Sequence, residues 1–370
     1  MTDHDVIIAG AGPVGMLLGC LLAASGADVL VCERRDADDD RTRAIGVHPP
    51  GLAALDEAGI GDAVRAEALR LQGGEVLAGG RVLAAVRFGD DRPVLTLAQP
   101  RTHALLRERL ARLGRPVVAG SRVLAARQDG DQVRVRVADA DGRRELTGSF
   151  LVAADGVRST LRRMLGVGWR ARGRSARYAM VDITDPAPDA IARLHCEPAG
   201  LVESFPLPGG RSRWVVRELV EPLDGEWFAE AVLHRTGMRI EIPDGIRPAE
   251  FVAAQHRVQR TVHGRIVLLG DAAHEISPIG GQGMNLGWAD ARRLAPALLA
   301  ALHGGASDLS GYDRRTARST VDAQRRAAFF MAMGAAATPL EQRGREAVIR
   351  MLGSERLRER AARLVTMNGL

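Results

Sequence analysis

Three groups of glycines and acids in the sequence have the spacing of a nucleotide-binding site. The first group is Gly10, Gly12 and Gly15, in a G-x-G-x-x-G pattern, followed by Glu33. Glycines at this spacing permit a tight turn, bring the backbone close to a pyrophosphate and let a helix pack on a strand. An acid about 20 residues further on can accept the hydroxyls of a ribose, and Glu33 is close to that position. The pattern therefore predicts a site for the ADP part of either NAD or FAD.

Each of the other two groups is an aspartate beside a glycine at the end of an apolar run. Asp155 follows residues 150–154, and Asp271 follows residues 265–269. A proline- and glycine-rich loop, SPIGGQGMN, comes shortly after the second aspartate and leads into a helix that is expected to start near Gly283. Because the first N–H groups of a helix carry about +0.5 charge, this loop is suited to an anionic ligand.

Hydrophobic periodicity predicts the elements that position these groups. Short apolar runs predict buried strands at residues 6–9, 29–31, 150–154 and 265–269. Short alternating runs typical of antiparallel strands occupy residues 73–97 and 178–257. Pro296 is expected to kink or split the helix that contains it. The main helical segments are residues 14–24, 101–113, 284–302, 312–333 and 340–364.

The order of these segments indicates interleaved domains of an α/β protein (α+β overall). Nucleotide-binding sequence occurs in three separate pieces, and strand-rich sequence is inserted between them twice. We therefore predict a discontinuous Rossmann-like domain, a β-sheet domain and a C-terminal helical segment. Their expected ranges are residues 1–72, 97–172 and 255–300 for the first, 73–96 and 173–254 for the second, and 301–370 for the third.

The composition limits the function classes to be considered. The chain has 370 residues, of which 46% are hydrophobic; this suits about two or three domains, each with its own core. The net charge is +6, and all 51 basic residues are arginines scattered among 45 acids. Scattered rather than clustered basic residues disfavour a nucleic-acid-binding surface.

Cysteine usage and hydropathy indicate a cytoplasmic protein. Cys20, Cys32 and Cys196 are odd in number and widely spaced, which fits a reducing compartment and disfavours a disulfide framework or a metal site. The N-terminus lacks the basic segment of a signal peptide. The longest apolar run, residues 16–24, is too short to span a bilayer, so we expect no integral membrane contact.

Taken together, the three groups resemble the flavoprotein aromatic hydroxylases, the single-component FAD-dependent monooxygenases with the p-hydroxybenzoate hydroxylase fold. The resemblance covers the whole chain and is most specific in G-D-A-A-H-x-x-x-P-x-x-G-Q-G-x-N, residues 270–285. It implies that the Rossmann-like domain binds FAD and that the sheet domain binds substrate. It also implies NAD(P)H as a transient reductant and O2 as co-substrate. The implied reaction is hydroxylation of an aromatic or polyketide-like molecule through a flavin C4a-hydroperoxide.

The resemblance also implies roles for individual residues. Asp271 would hold the ribityl hydroxyls of FAD, and Asp155 would serve FAD and NAD(P)H binding. Arg43 would line the flavin, and Arg101 would make another FAD contact. No catalytic side chain is assigned, because the cofactor brings the oxygen chemistry. The expected FAD-binding residues are Gly10, Gly12, Pro13, Val14, Gly15, Glu33, Arg34, Arg43, Arg101, Val123, Asp155, Asp271, Pro278, Gly281, Gly283, Met284 and Asn285, of which Pro278, Gly281 and Gly283 form the flavin-proximal loop.

Several alternatives share these features. A Baeyer–Villiger oxygenase or a prenyl-reductase-like flavoenzyme would use the same FAD fold, and a flavin-binding scaffold without turnover would keep the same loop. A flavin halogenase is disfavoured because the sequence contains neither a W-x-W-x-I-P element nor any lysine. His274 is open to two interpretations, a catalytic base or a hydrogen-bonded structural residue.

Overall fold

The protein is described by a computed structural model that covers residues 2–36, 44–185, 189–217, 223–304 and 308–367. The helices in these ranges are α1 (Pro13–Ala24), α2 (Pro49–Glu57), α3 (Gly61–Glu67), α4 (Gln99–Arg112), α5 (Thr160–Met164), α6 (Gly225–Thr236), α7 (Gln282–Leu302), α8 (Ser310–Met333), α9 (Pro339–Gly353) and α10 (Glu355–Val365), with a 3-10 turn at Gly270–Ala272.

The strands are mostly short and fall into four sheets. They are β1 (His4–Ala9), β2 (Val29–Cys32), β3 (Gly46–Val47), β4 (Leu69–Leu71), β5 (Gly73–Ala78), β6 (Arg81–Arg87), β7 (Val94–Thr96), β8 (Arg122–Asp129), β9 (Gln132–Asp139), β10 (Gly142–Ala153), β11 (Arg170–Ala171), β12 (Ala176–Thr184), β13 (Ile191–Glu197), β14 (Gly200–Leu207), β15 (Arg211–Arg217), β16 (Ala249–Ala253), β17 (His256–Arg257), β18 (Val262–His263), β19 (Ile266–Leu268) and β20 (His274–Glu275).

The first large sheet is parallel at its centre, in the order β2-β1-β10-β19, with β18 antiparallel at one edge. The hairpin β8–β9 extends from β10. Val6, Ile7 and Ile8 of β1 are all fully buried, as expected where both faces of a parallel sheet are covered. The predicted α/β class is confirmed, and Gly10, Asp155 and Asp271 all follow carboxyl ends of neighbouring parallel strands.

The second large sheet has the order β16-β12-β15-β14-β13-β5-β6 and is antiparallel except for β13 and β5. The strands β5 and β6 therefore meet the strands β12 to β16 in one sheet. Alternate residues face opposite sides: Val181 and Val216 pack against α6, whereas Met180 and Leu194 line a cavity on the other side. Residues 94–96 leave this sheet, because β7 pairs with β3 and β4. The division into domains stays a prediction.

One expectation for the C-terminal helices is wrong, and another is wrong in part. Pro296 does not split α7, which runs unbroken from Gln282 to Leu302, and the expected kink stays a prediction. Pro296 is exposed, so the carbonyl that loses its helical partner can be hydrated, while Leu294 and Leu298 keep the helix packed on the core. Residues 340–364 form two helices rather than one, because Ser354 is extended and its hydroxyl donates to the carbonyl of Met351.

The three cysteines are free and buried. None of the helices in the described part of the chain combines the length and apolar character that a bilayer crossing requires.

Candidate cofactor and substrate site

A cavity of about 1350 Å3 extends from the carboxyl edge of the parallel sheet to one face of the second sheet. At one end it is lined by Gly10, Gly12, Glu33 and Asp155, and at the other by the second sheet with α8, α9 and α10. Single small ligands usually occupy roughly 300–1,000 Å3. The cavity therefore has room for more than one ligand, with a nucleotide end and an apolar end.

The glycine turn at the nucleotide end leaves space for a ligand at one position only. A Cβ on Gly10 would lie 2.4 Å from the carbonyl oxygen of Ala154, and one on Gly15 would lie 2.1 Å from the oxygen of Gly10. These two glycines permit close packing of β1, α1 and β10. A Cβ on Gly12 would meet no atom within 4 Å. Since Gly12 lines the cavity, its missing side chain keeps the start of α1 open to a ligand.

The loop after β19 is held against this turn by packing on Val14. A Cβ on Gly270 would lie 3.2 Å from Cγ1 of Val14, and one on Gly287 would lie 2.6 Å from its Cγ2. Trp288 adds a hydrogen bond from its indole nitrogen to the carbonyl of Pro13, at 3.1 Å. These contacts bring Asp271 to the same cavity as Gly12.

Glu33 directly follows β2 and is buried. Its Oε2 accepts from the N–H of Ala11 at 3.0 Å, and its Oε1 accepts from the N–H and Nε of Arg35 at 3.1 and 3.2 Å. Glu33 therefore stabilises the glycine turn through its hydrogen bond with Ala11, and it also lines the cavity. Arg34 is exposed and lines the same region.

Asp155 has one occupied and one unused oxygen. Its Oδ2 accepts from the N–H groups of Thr160 and Leu161 at 2.7 and 3.3 Å, at the start of α5. Its Oδ1 is buried without a hydrogen-bond partner among the described residues. Because Asp155 lines the cavity, this oxygen is placed to accept a hydrogen bond from a ligand.

The predicted flavin-proximal loop borders the middle of the cavity. Pro278, Gly281, Gly283 and Met284 all line it. Gly281 is the left-handed residue before α7, with φ of +67°, and its N–H donates to the carbonyl of Pro278 at 2.9 Å. That N–H is therefore used within the loop. The first turn of α7, with Gly283 and Met284, supplies the positive end of the helix instead.

Asn285 is fully buried and ties the loop to β3 rather than lining the cavity. Its Oδ1 accepts from the N–H of His48 at 2.9 Å. Its Nδ2 donates to the carbonyls of Gly46 and Gly281, at 2.9 and 2.8 Å. Asn285 thus acts on the loop through the backbone.

Comparison with known proteins assigns the family. A family model described as FAD binding domain matches residues 3–327. The chain belongs to this FAD-binding family. A 12-dehydrotetracycline 5-monooxygenase/anhydrotetracycline 6-monooxygenase of Streptomyces rimosus is 32% identical over 319 residues, which cover 81% of this chain and 63% of that relative. The chain thus spans less than two thirds of that relative's length.

Solved structures support the same assignment. An anhydrotetracycline hydroxylase from Streptomyces rimosus superposes with a TM-score of 0.80 at 29% identity, over 99% of this chain and 76% of that chain. A p-nitrophenol 4-monooxygenase from Pseudomonas putida shares the fold, with a TM-score of 0.87 at 24% identity over 99% and 97% of the two chains. The resemblance to the flavoprotein aromatic hydroxylases is confirmed.

The residues of the cavity fit the cofactor of this FAD-binding family. Gly12 offers an open approach to the start of α1, where a pyrophosphate is favoured. Asp155 offers a buried acceptor without a partner. Asp271 is exposed and lines the cavity at the end of the same sheet. Val123 lines the cavity as well. Arg43 lies outside the described residues.

In this FAD-binding fold, α4 presents different residues to the cavity than the sequence predicts. Arg101 forms a bidentate ion pair with Glu67, with distances of 2.6 and 2.7 Å, on the exposed side of the helix. Gln99 and His103 line the cavity instead, and Nε2 of His103 is 2.8 Å from the carbonyl of Ala11 in the glycine turn. At about 100° per residue, positions 99 and 103 share a face that position 101 does not.

We expect His103→Ala to weaken FAD binding by about tenfold, because the glycine turn loses a hydrogen bond that fixes its carbonyl. Arg101→Ala is the matched variant on the same helix and should change the affinity less than about twofold, since exposed ion pairs contribute little. Titration of apoprotein with FAD, followed by quenching of flavin fluorescence, measures both. A larger loss with Arg101→Ala would contradict the placement of α4.

Two buried histidines have different surroundings. Nε2 of His274 lies 2.8 Å from Oδ2 of Asp290, and Oδ1 of Asp290 accepts a hydrogen bond from Thr316. Asp290 therefore links β20, α7 and α8. The geometry supports the structural interpretation of His274. His48 lines the cavity, and burial lowers its pKa to about 4. A Cβ on Gly281 would lie 3.0 Å from its Nε2, so His48 fills the space beside that glycine.

Sequence reasoning missed the acid at the apolar end of the cavity, Glu203 on β14. Its side chain is 2% exposed and lines the cavity. Burial raises the pKa of Glu203 to about 8. Leu201, Glu203 and Phe205 alternate along β14 and share the face that lines the cavity. The sequence VESFPL alone does not reveal that Glu203 lies on this face, because the face is known only from the structure.

Because its pKa is raised in the folded state, Glu203 should make stability fall with pH. The unfolded carboxyl ionises near its ordinary pKa of 4.5 while the native one stays protonated until about 8, so the unfolded state binds fewer protons over this window. We expect Glu203→Gln to be more stable than wild type at about pH 7.5, on the order of 4 kcal/mol, and the difference to shrink towards about pH 4.5. Thermal unfolding across this range measures it; a difference independent of pH would contradict the assignment.

Proposed function

We propose that the protein is an FAD-dependent monooxygenase that consumes NAD(P)H and O2 and hydroxylates an aromatic or polyketide-like small molecule. The observation that carries the proposal is the single cavity that joins the nucleotide end, at Gly12 and Asp155, to an apolar face of the second sheet. A hydroxylase of this class needs a cofactor site and a substrate site that share one enclosed space.

The residues described above would each bind a different part of the cofactor. The start of α1 would bind the pyrophosphate, Glu33 the ADP ribose, and Asp271 the ribityl chain. The first turn of α7 would stabilise negative charge on the ring, because helix N-termini favour anions. FAD, when bound, supplies electron transfer and oxygen activation. The chain positions the substrate and excludes water from it.

The apolar end of the cavity supports a ring system as the substrate. Phe205, Phe251, Phe329 and Phe330 line it, together with aliphatic residues of β13, β14 and β15. Aromatic side chains favour stacked or edge-on contacts with a flat ring. The Streptomyces rimosus relatives, whose names give 12-dehydrotetracycline and anhydrotetracycline, are consistent with a polycyclic substrate. A cytoplasmic location is part of the proposal, because three free buried cysteines suit a reducing compartment.

The proposal is tested with purified protein loaded with FAD, NADH or NADPH, and a panel of phenols and polycyclic phenols under 18O2. We expect at least one compound to stimulate NAD(P)H oxidation and one 18O atom to enter it as a new hydroxyl group, located by NMR. Ring expansion would identify a Baeyer–Villiger oxygenase instead. A reduced product without 18O would identify a reductase, and no NAD(P)H oxidation with any compound would favour a scaffold; each of these outcomes overturns the proposal.

A further inference from the structure

We infer that Glu203 is a substrate-binding residue that selects a ring carrying a hydroxyl or carbonyl oxygen over one carrying a carboxylate. The inference rests on the proposed function, because it concerns the substrate end of the same cavity. The apolar end of the cavity would accept a neutral ring compound that is a phenol, a quinone or a ketone. Glu203 would be the side chain that recognises the oxygen.

The position of Glu203 in the sheet places its carboxyl group among apolar neighbours. In register it lies opposite Leu194 of β13 on one side and Val215 of β15 on the other. Leu201 and Phe205 flank it along β14 on the same face. All four neighbours line the cavity. The carboxyl group therefore has four apolar neighbours on this wall, and Arg213, opposite Phe205, is the next polar side chain along the same face.

The carboxyl group has an unused hydrogen-bonding position. Oε1 of Glu203 is buried and has no hydrogen-bond partner among the described residues. Buried polar atoms without a partner are rare in folded proteins, since each costs about 1–3 kcal/mol in lost hydration. A ligand that fills the cavity and bonds to this atom would recover that cost. The unsatisfied oxygen is thus an independent sign of a binding site.

Two buried arginines near this wall are engaged elsewhere. Arg213 of β15 donates from Nε and Nη2 to the two carboxylate oxygens of Asp182, at 2.6 and 2.9 Å. Arg217, also on β15, donates to the carbonyl of Met331. Arg360 lines the cavity from the exposed side of α10. A ligand carboxylate beside Glu203 would therefore be buried next to an acid, and the two buried arginines of β15 already have acceptors.

The other acids of this end are also paired. Glu75 on β5 lies 3.3 Å from Nε of Arg193, and Glu250 on β16 accepts from Arg177 at 3.0 Å. Glu203 differs from both because burial keeps its carboxyl neutral near pH 7. A neutral carboxyl donates through O–H and accepts through its carbonyl oxygen, so it can bond to a phenol or a ketone. Burying an unpaired carboxylate of a ligand there would be costly.

The test measures binding rather than turnover. FAD-loaded protein at pH 7 is titrated by calorimetry with naphthalene, 2-naphthol and 2-naphthoate, which share one ring system. We expect wild type to bind 2-naphthol about tenfold more tightly than naphthalene, and 2-naphthoate more weakly than either. Glu203→Leu should remove the advantage of 2-naphthol without weakening naphthalene. Glu203→Gln, which keeps a donor and an acceptor, should retain it within about threefold.

The control is Glu250→Leu, which removes a carboxyl from the half-exposed rim of the cavity and should leave the preference unchanged. Equal weakening of naphthalene and 2-naphthol in Glu203→Leu would show a structural role and overturn the inference. Binding of 2-naphthoate by wild type as tightly as 2-naphthol would overturn it too. Failure of the proposed function would appear separately, as absent NAD(P)H oxidation, while these affinities remain measurable.

Discussion

Replacing Gly12 with valine is expected to reduce FAD affinity on the order of 100-fold while the fold is kept. The backbone at Gly12 has φ of −69° and ψ of 171°, which valine adopts without strain. A Cβ there meets no protein atom within 4 Å, so the added side chain projects into the cavity where the pyrophosphate would lie. The loss therefore comes from occupied space and from blocked access to the N–H groups of α1.

Three measurements separate this effect from unfolding. Circular dichroism and thermal unfolding of the apoprotein should show a cost of about 1 kcal/mol or less, because valine is a poor residue at a helix N-cap. Flavin content after purification and a fluorescence titration give the affinity. Gly168→Val is the matched control, since Gly168 is exposed and also has open space around its Cβ position. Normal FAD affinity in Gly12→Val would remove Gly12 from the cofactor site.

Asn285→Leu is expected to lower the free energy of unfolding by about 3 kcal/mol or more. The variant keeps the approximate side-chain volume but removes the amide's hydrogen bonds to three backbone groups, the buried N–H of His48 and the part-buried carbonyls of Gly46 and Gly281. The loop that borders the middle of the cavity would lose its tie to β3. FAD affinity should therefore fall together with stability.

Denaturant unfolding of the apoprotein gives the stability change, and the FAD titration gives the affinity. Ala300→Leu, on the exposed face of the same helix, is the control and should change stability by less than about 0.5 kcal/mol. If Asn285→Leu lowered the free energy of unfolding as little as the control does, water would be replacing the amide. That result would contradict the role of Asn285 in holding the loop against β3.

Much of the cofactor end follows from the sequence because its determinants are local. Gly10, Gly12 and Gly15 are close together in the chain and specify one turn, and the apolar run before them specifies a buried strand. Asp155 and Asp271 were predictable for the same reason, since each closely follows a strand of a parallel sheet. Parallel strands bring their carboxyl ends to one edge, so the meeting of these residues required no knowledge of packing.

The substrate end was not predictable because its determinants are not local. The role of Glu203 depends on the face of β14 that turns to the cavity and on neighbours from β13 and β15, which no spacing within VESFPL reveals. The choice between Arg101 and His103 depends on the rotation of α4 against the sheet. The predicted split of α7 at Pro296 was wrong because the effect of a proline depends on its exposure, which is a property of the packed helix.

The packing of Val14 between Gly270 and Gly287 has a consequence for biosynthesis. The glycine turn leaves the ribosome before the residues that complete its surroundings, which emerge more than 250 positions later. The nascent chain therefore carries an incomplete nucleotide site while the intervening residues are synthesised. FAD can be captured by the complete site only after α7 has docked, and its binding then stabilises the assembled chain by mass action.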